Sequence, residues 1–174
     1  MRDIACLLIV LICMSCVAQE NTHVPHSSWE LRLDGIGDLR VGMTIRQVNA
    51  VLREQFSTPT GEDERNCFYI QPKGHTDTAI MMLNGRLARV DVLANGDSIS
   101  STATDSGVHV GDSEASVRAK YADKLRVSPH HYTDGHYLTI RSGKLGLRFE
   151  TDEGKVTTFY SGTLRAIEFV EGCS

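Results

Sequence analysis

The chain has 174 residues, a formal net charge of −4, 41% hydrophobic and 23% charged residues. That is the composition of an ordinary globular chain able to bury a core. No basic stripe runs along it, which excludes the usual nucleic-acid footprint, and no stretch is apolar for long enough to span a bilayer as a helix.

Residues 1–18 read as a signal peptide. Arg2 carries the positive charge, residues 4–14 form an apolar run of signal-core length, and Cys16-Val17-Ala18 offers small residues before a cut after Ala18. A second pattern overlaps it: Ser15-Cys16 reads as a lipoprotein signal with a lipid anchor at Cys16, with Cys13 where such signals usually have Leu. Either pattern predicts export, to the periplasm or beyond. Residues 19–28 are polar, contain Pro25 and read as a flexible leader. Cys6, Cys13 and Cys16 fall in the leader peptide, so Cys67 and Cys173 remain. An even pair in an oxidising compartment predicts one disulfide.

Residues 29–33 alternate apolar and polar (Trp29, Leu31, Leu33) and predict a strand. A helix is expected over 44–56, with Thr44 and Gln47 as a capping box and Ile45, Val48, Val51 and Leu52 on one face. Strands follow at 67–71, 78–83 and 86–94, the last two joined by Asn84-Gly85, the strongest short hairpin signal in the chain. Residues 98–106, rich in Ser and Thr, read as a linker. Ser113 or Asp112 caps a second helix over 113–123, with Val117 and Tyr121 inward. A polar loop is expected at 128–135, then strands at 136–142, 145–150, 156–160 and 164–170.

One phrase occurs twice. Val41-Gly42-Met43-Thr44 is followed by Val48, and Val110-Gly111-Asp112-Ser113 by Val117, so that Gly42 and Gly111, Thr44 and Ser113, Val48 and Val117 are each 69 residues apart. The expectation is an α+β chain: two tandem helix-plus-antiparallel-strand repeats, 29–97 and 107–174, sharing one core.

The phrase Val-Gly-Met-Thr with a Val four residues on resembles the opening of each repeat in the beta-lactamase inhibitory protein family. It is also similar to the small outer-membrane lipoproteins of the barrel-assembly machinery. The second copy has Asp112 and Ser113 in place of Met and Thr. The resemblance implies an envelope protein as partner, either an enzyme that is inhibited or an assembly that is supported. The C-terminal half also resembles a group of small secreted bacterial proteins of poorly defined function. It does so through Arg89-Val90-Asp91-Val92, Pro129-His130-His131-Tyr132, Gly135-His136-Tyr137-Leu138, Arg148-Phe149-Glu150-Thr151-Asp152 and Val170-Glu171-Gly172-Cys173. Some of that group carry a lectin label.

His130, His131, Tyr132, His136 and Tyr137 cluster in a short stretch and mark the candidate binding loop. Imidazoles and aromatics there suit a glycan, the second partner class; a hydrolase using His130 or His131 is the third and needs a carboxylate beside them in a pocket. Glu168 and Glu171, near Arg165, face opposite ways on a strand. Arg141, Arg148, Glu150 and Asp152 read as cross-strand charge pairs on the wet face. No nucleophile elbow or glycine-rich phosphate loop is present. The expectation is a non-enzymatic binding protein with no cofactor and no metal site.

Overall fold

In the computed structural model, which describes residues 28–62, 64–94 and 100–173, Thr44 is the N-cap of helix α1 (Ile45–Leu52). Its side chain accepts from the Gln47 amide, while the Gln47 carboxamide accepts from the Thr44 amide. The capping box leaves two fewer orphan donors at the helix start. Arg53, in the left-handed region at φ 55°, ends the helix. Ser113 caps α2 (Glu114–Tyr121) in the same way, accepting from Ser116. The predicted signal peptide, the Cys16 anchor and leader residues 19–27 lie outside the described residues.

Nine strands are present among the described residues. Leu31–Arg32 (β1) and Gly35–Ile36 (β2) form a small ribbon. Cys67–Ile70 (β3), Thr78–Leu83 (β4), Arg86–Leu93 (β5), Leu125–Pro129 (β6), His136–Ser142 (β7), Leu145–Asp152 (β8) and Lys155–Thr163 (β9) form one antiparallel sheet, in the order β3-β4-β5-β9-β8-β7-β6. Asn84 and Gly85, both at positive φ (51° and 74°), make the tight turn between β4 and β5, as their sequence predicts.

The expected α+β chain of two tandem helix-plus-strand repeats is overturned. The described residues are mainly β, 39% strand against 16% helical. The reason is the junction at the middle of the sheet. β5 pairs with β9 from Arg89↔Gly162 to Leu93↔Thr158, so a single hydrogen-bond ladder runs across both halves. The helices are eight residues each and serve as covers on that sheet.

What recurs is local. Gly42 donates to the Leu87 carbonyl and Leu87 to the Met43 carbonyl (2.8 and 2.7 Å); 69 residues on, Gly111 donates to Val156 and Val156 to Asp112 (both 2.8 Å). Each phrase thus clips a helix start to the first residues of a strand. Gly42 and Gly111 hold φ of 93° and 92°, and an added Cβ on either would meet no atom within 4 Å. Backbone conformation alone therefore demands glycine. Gly42→Val and Gly111→Val should each lower stability by about 1–3 kcal/mol in urea titration, and Gly→Asn by less, since Asn tolerates positive φ better. Equal losses for Val and Asn would show that φ is not the cause.

Three smaller expectations change. Leu125–Pro129, whose last two residues are expected in the 128–135 loop, is the edge strand β6. Residues 164–170 do not form a strand; a 3-10 turn at Ala166–Glu168 lies over the sheet instead. Trp29 sits outside β1, its ring stacked on His75 at 3.8 Å. From residue 100 on, the Ser/Thr-rich segment is packed. Ser100, Thr102 and Thr104 are buried, and Asp77 accepts from the Ser100 hydroxyl (2.7 Å) and the Thr102 amide (3.2 Å).

Alternation along the strands makes two faces. Phe68, Ile70, Ile80, Met82, Val90, Val92, Leu138, Leu147, Phe149 and Phe159 point to the main core, where Val48 of α1, Val117 of α2 and Leu31 and Ile36 of the ribbon close over them. The other face is covered in part. The C-terminal segment crosses it, burying Met81, Ala88 and Ala166 beside Cys67, Leu83, Phe169 and Cys173. Gly146 of β8 admits that crossing: a Cβ there would meet Ile167 Cδ1 at 2.3 Å. Cys67 of β3 and Cys173 form a disulfide that fastens the segment's end.

Candidate binding groove on the partly covered sheet face

Where the C-terminal segment stops, the face opens into a groove of about 330 Å³ lined by Tyr69, Ala79, Arg89, Asp91, Leu93, Glu150, Thr158, Tyr160 and Val170. β5 supplies Arg89, Asp91 and Leu93 because Val90 and Val92 take the opposite, core face. The register sets Asp91 beside Tyr160 and Glu150 beside Thr158.

Arg89 and Asp91 form an ion pair at 2.7 Å whose side chains are only 7% and 5% exposed. Arg89 is held at both terminal nitrogens, while its Nε meets Asp91 Oδ1 as an ion pair without hydrogen-bond geometry. Nη1 donates to the carbonyls of Ala166 and Phe169 (both 2.9 Å), Nη2 donates to the Tyr69 hydroxyl (2.7 Å), and the guanidinium lies 4.5 Å over the Tyr160 ring. It therefore pins the C-terminal crossing to the sheet. Asp91 meets Arg89 through Oδ1 and lies close to the Tyr69 hydroxyl, yet its Oδ2 is buried and no donor among the described residues meets it in hydrogen-bond geometry. Burial pushes the Asp91 carboxyl up to about 6, against the pull of Arg89. Burial, with the nearby Asp91 charge, pushes Tyr69 up to about 12. Burial also raises Tyr160, whose hydroxyl donates to Glu150 Oε1 at 2.8 Å. Both phenols are thus hydrogen-bonding walls and not acids at neutral pH.

The predicted loop lies beside this groove and divides. His130 Nδ1 accepts from the amides of Tyr132 and Thr133 (both 3.2 Å), which puts the ring proton on Nε2, 3.4 Å from Glu150 Oε2. Both ring nitrogens are occupied, so His130 is a strut and has no lone pair to serve as a base. Its ring packs on Tyr137 at 4.5 Å, and Arg148 lies over the Tyr137 ring at 5.0 Å. Tyr132 is 62% exposed, with His131 edge-on at 4.5 Å, and its hydroxyl donates to Glu171, tying the loop to the C-terminal segment. His136 points away from the others. It meets Glu114 of α2 at 3.0 Å, where Thr151 and Arg118 also bind that carboxylate. Burial alone would raise Glu114, but those hydrogen bonds outweigh it and hold it below its ordinary value.

The structure thus gathers His130, His131, Tyr132 and Tyr137 and leaves His136 elsewhere. Of the expected cross-strand charge pairs, Arg141 instead binds Glu168 at 2.7 Å and Arg148 donates to Thr139. Among the described residues no group of three or more His, Cys, Asp or Glu is placed to hold a metal, and no helix is long and apolar enough to cross a membrane. Sequence reading missed Arg89, Asp91, Tyr69 and Tyr160. The available signal was Arg89 and Asp91 alternating with Val90 and Val92, two opposite charges on one face of an otherwise apolar strand.

No family model matches the chain, and no curated protein matches it. Among solved structures, the crystal structure of a DUF4309 family protein (YjgB) from Bacillus subtilis subsp. subtilis str. 168 is similar. It is 12% identical, with a TM-score of 0.47, over 74% of this chain and 84% of that one. It is a distant neighbour.

Proposed function

We propose that this chain is an exported binding protein of the bacterial envelope, without catalytic activity, that takes a segment of a partner protein on the partly covered face of its sheet. The observation that carries the reading is the groove itself. Exposed Tyr69, Leu93 and Val170 form an apolar rim around a buried, hydrogen-bonded polar floor, the usual anatomy of a protein-binding patch. The Cys67–Cys173 disulfide is consistent with an oxidising compartment. The resemblance of the Gly42 and Gly111 phrases to inhibitor and assembly-lipoprotein repeats supports an envelope protein, inhibitor target or assembly component, as that partner. The test is affinity capture from envelope extract with the wild-type protein and a Leu93→Arg/Val170→Arg rim variant. One saturable protein held by the wild type and lost from the variant is expected. The same protein held by both would remove the groove from the reading.

A glycan is the second reading, favoured by Tyr132, exposed beside His131 and Glu171. Retention on a glycan array that disappears with Tyr132→Ala would establish it in place of the first.

A further inference from the structure

We propose that the groove receives a basic side chain, a lysine or arginine of the partner segment, with its cationic head between Asp91 and Glu150. The inference rests on reading this face as a protein-binding surface and names what the face recognises.

Asp91 Oδ2 is a buried acceptor of the groove lining that no donor among the described residues meets in hydrogen-bond geometry, although the Tyr69 hydroxyl lies near that carboxyl. Buried acceptors are nearly always satisfied, so a donor from outside fits here. The lining carries two carboxylates, Asp91 and Glu150, and one guanidinium, Arg89. That guanidinium is already committed to Asp91, Tyr69 and the carbonyls of Ala166 and Phe169. His130 meets Glu150 through Nε2, its Nδ1 accepting from the Tyr132 and Thr133 amides. An incoming group therefore meets net negative charge. The walls suit the rest of a long basic side chain. Ala79, Leu93 and Val170 offer an apolar track for its methylenes, and the exposed ring of Tyr69 offers a cation a π face. A hydroxyl or carboxamide would satisfy Oδ2 but leave unanswered the charge of Glu150, which no lysine or arginine among the described residues pairs. The overall charge of −4 draws partners of the same sign as this side chain.

The test titrates the isotope-labelled protein with blocked single amino acids, observed by NMR. The probes are Nα-acetyl-lysine methylamide, its arginine and norleucine counterparts, and a methyl glucoside. The expected result is saturable shifts of the Tyr69, Ala79, Leu93 and Thr158 amides with the lysine or arginine probe, at least about tenfold weaker with norleucine, the worth of one charge-assisted hydrogen bond. Asp91→Asn should abolish them. Because that variant leaves Arg89 without its ion-pair partner, Ala79→Phe serves as the second: from β4, directly across from Asp91, it fills the groove while both charges of the ion pair stay in the chain, and the shifts should vanish there too. Equal shifts with norleucine, a response to the glucoside alone, cationic shifts that survive Ala79→Phe, or no shifts at all would each overturn the proposal. Failure here with rim-dependent capture intact would leave the protein-binding reading standing and remove only the basic side chain from it.

Discussion

Arg89→Met should destabilise the protein by about 3–5 kcal/mol, the usual cost of removing one partner from a buried ion pair. The substitution strands Asp91, 5% exposed, without its cation, and frees the carbonyls of Ala166 and Phe169 from the donor that holds them to the sheet. Urea unfolding at neutral pH reads the loss directly. The companion variant Arg89→Met/Asp91→Leu separates the two causes. It removes the stranded charge and keeps the lost clamp, so it should recover a large part of the stability. A double variant as unstable as Arg89→Met would place the whole effect in the clamp. Arg89→Met with wild-type stability would show that neither the ion pair nor the clamp contributes, and would also weaken the claim that the groove has a rigid floor.

Breaking Cys67–Cys173 should have a comparable effect through a different mechanism. The bond joins residues 106 apart, and constraining a loop of that length in the unfolded chain is worth about 4–5 kcal/mol on the chain-entropy account. The native state gains as well, since the disulfide holds Cys173 against β3, where the C-terminal segment ends its crossing. Cys67→Ser/Cys173→Ser, or the wild type under dithiothreitol, should unfold at a clearly lower urea midpoint. Its loss should also release Gly172, whose Cβ position lies 2.7 Å from the Tyr69 hydroxyl, and so loosen the groove wall. An unchanged midpoint would mean that Arg89 and the packing of Ala166 and Ile167 suffice to hold the segment.

Much of the local structure was legible in the residues. Thr44 with Gln47, Ser113, and Asn84-Gly85 act through neighbours within a few positions, so their spacing alone predicts a capped helix or a tight hairpin. The disulfide followed from there being only two cysteines, Cys67 and Cys173, past the expected signal peptide. β6 was not legible, because an edge strand with four of its five residues exposed shows no apolar alternation, and Pro129 argues against a strand. Residues 164–170 were misread for the opposite reason. Leu164, Ala166 and Phe169 look strand-like, yet β9 is already paired on both sides, by β5 and β8, so the segment folds across the face and meets Arg89.

The groove shows the same division. Sequence by itself determined that Cys67 and Cys173 belong together and that the phrases at Gly42 and Gly111 each start a helix; the shared face of Arg89 and Asp91 on β5 was open to it as well, though it went unread. These follow from the two-residue period of a strand, the parity of thiols and the chemistry of a helix cap, all of which are local or a matter of counting. Only the tertiary structure decided that the face bearing Arg89 and Asp91 is partly buried and that one sheet unites both halves of the chain. It also decided that Glu150 and Tyr160 complete a groove beside the His130 loop. The physical reason is distance along the chain. Arg89 is desolvated by carbonyls 77 and 80 residues away, and no local pattern encodes which strand face a remote segment will cross.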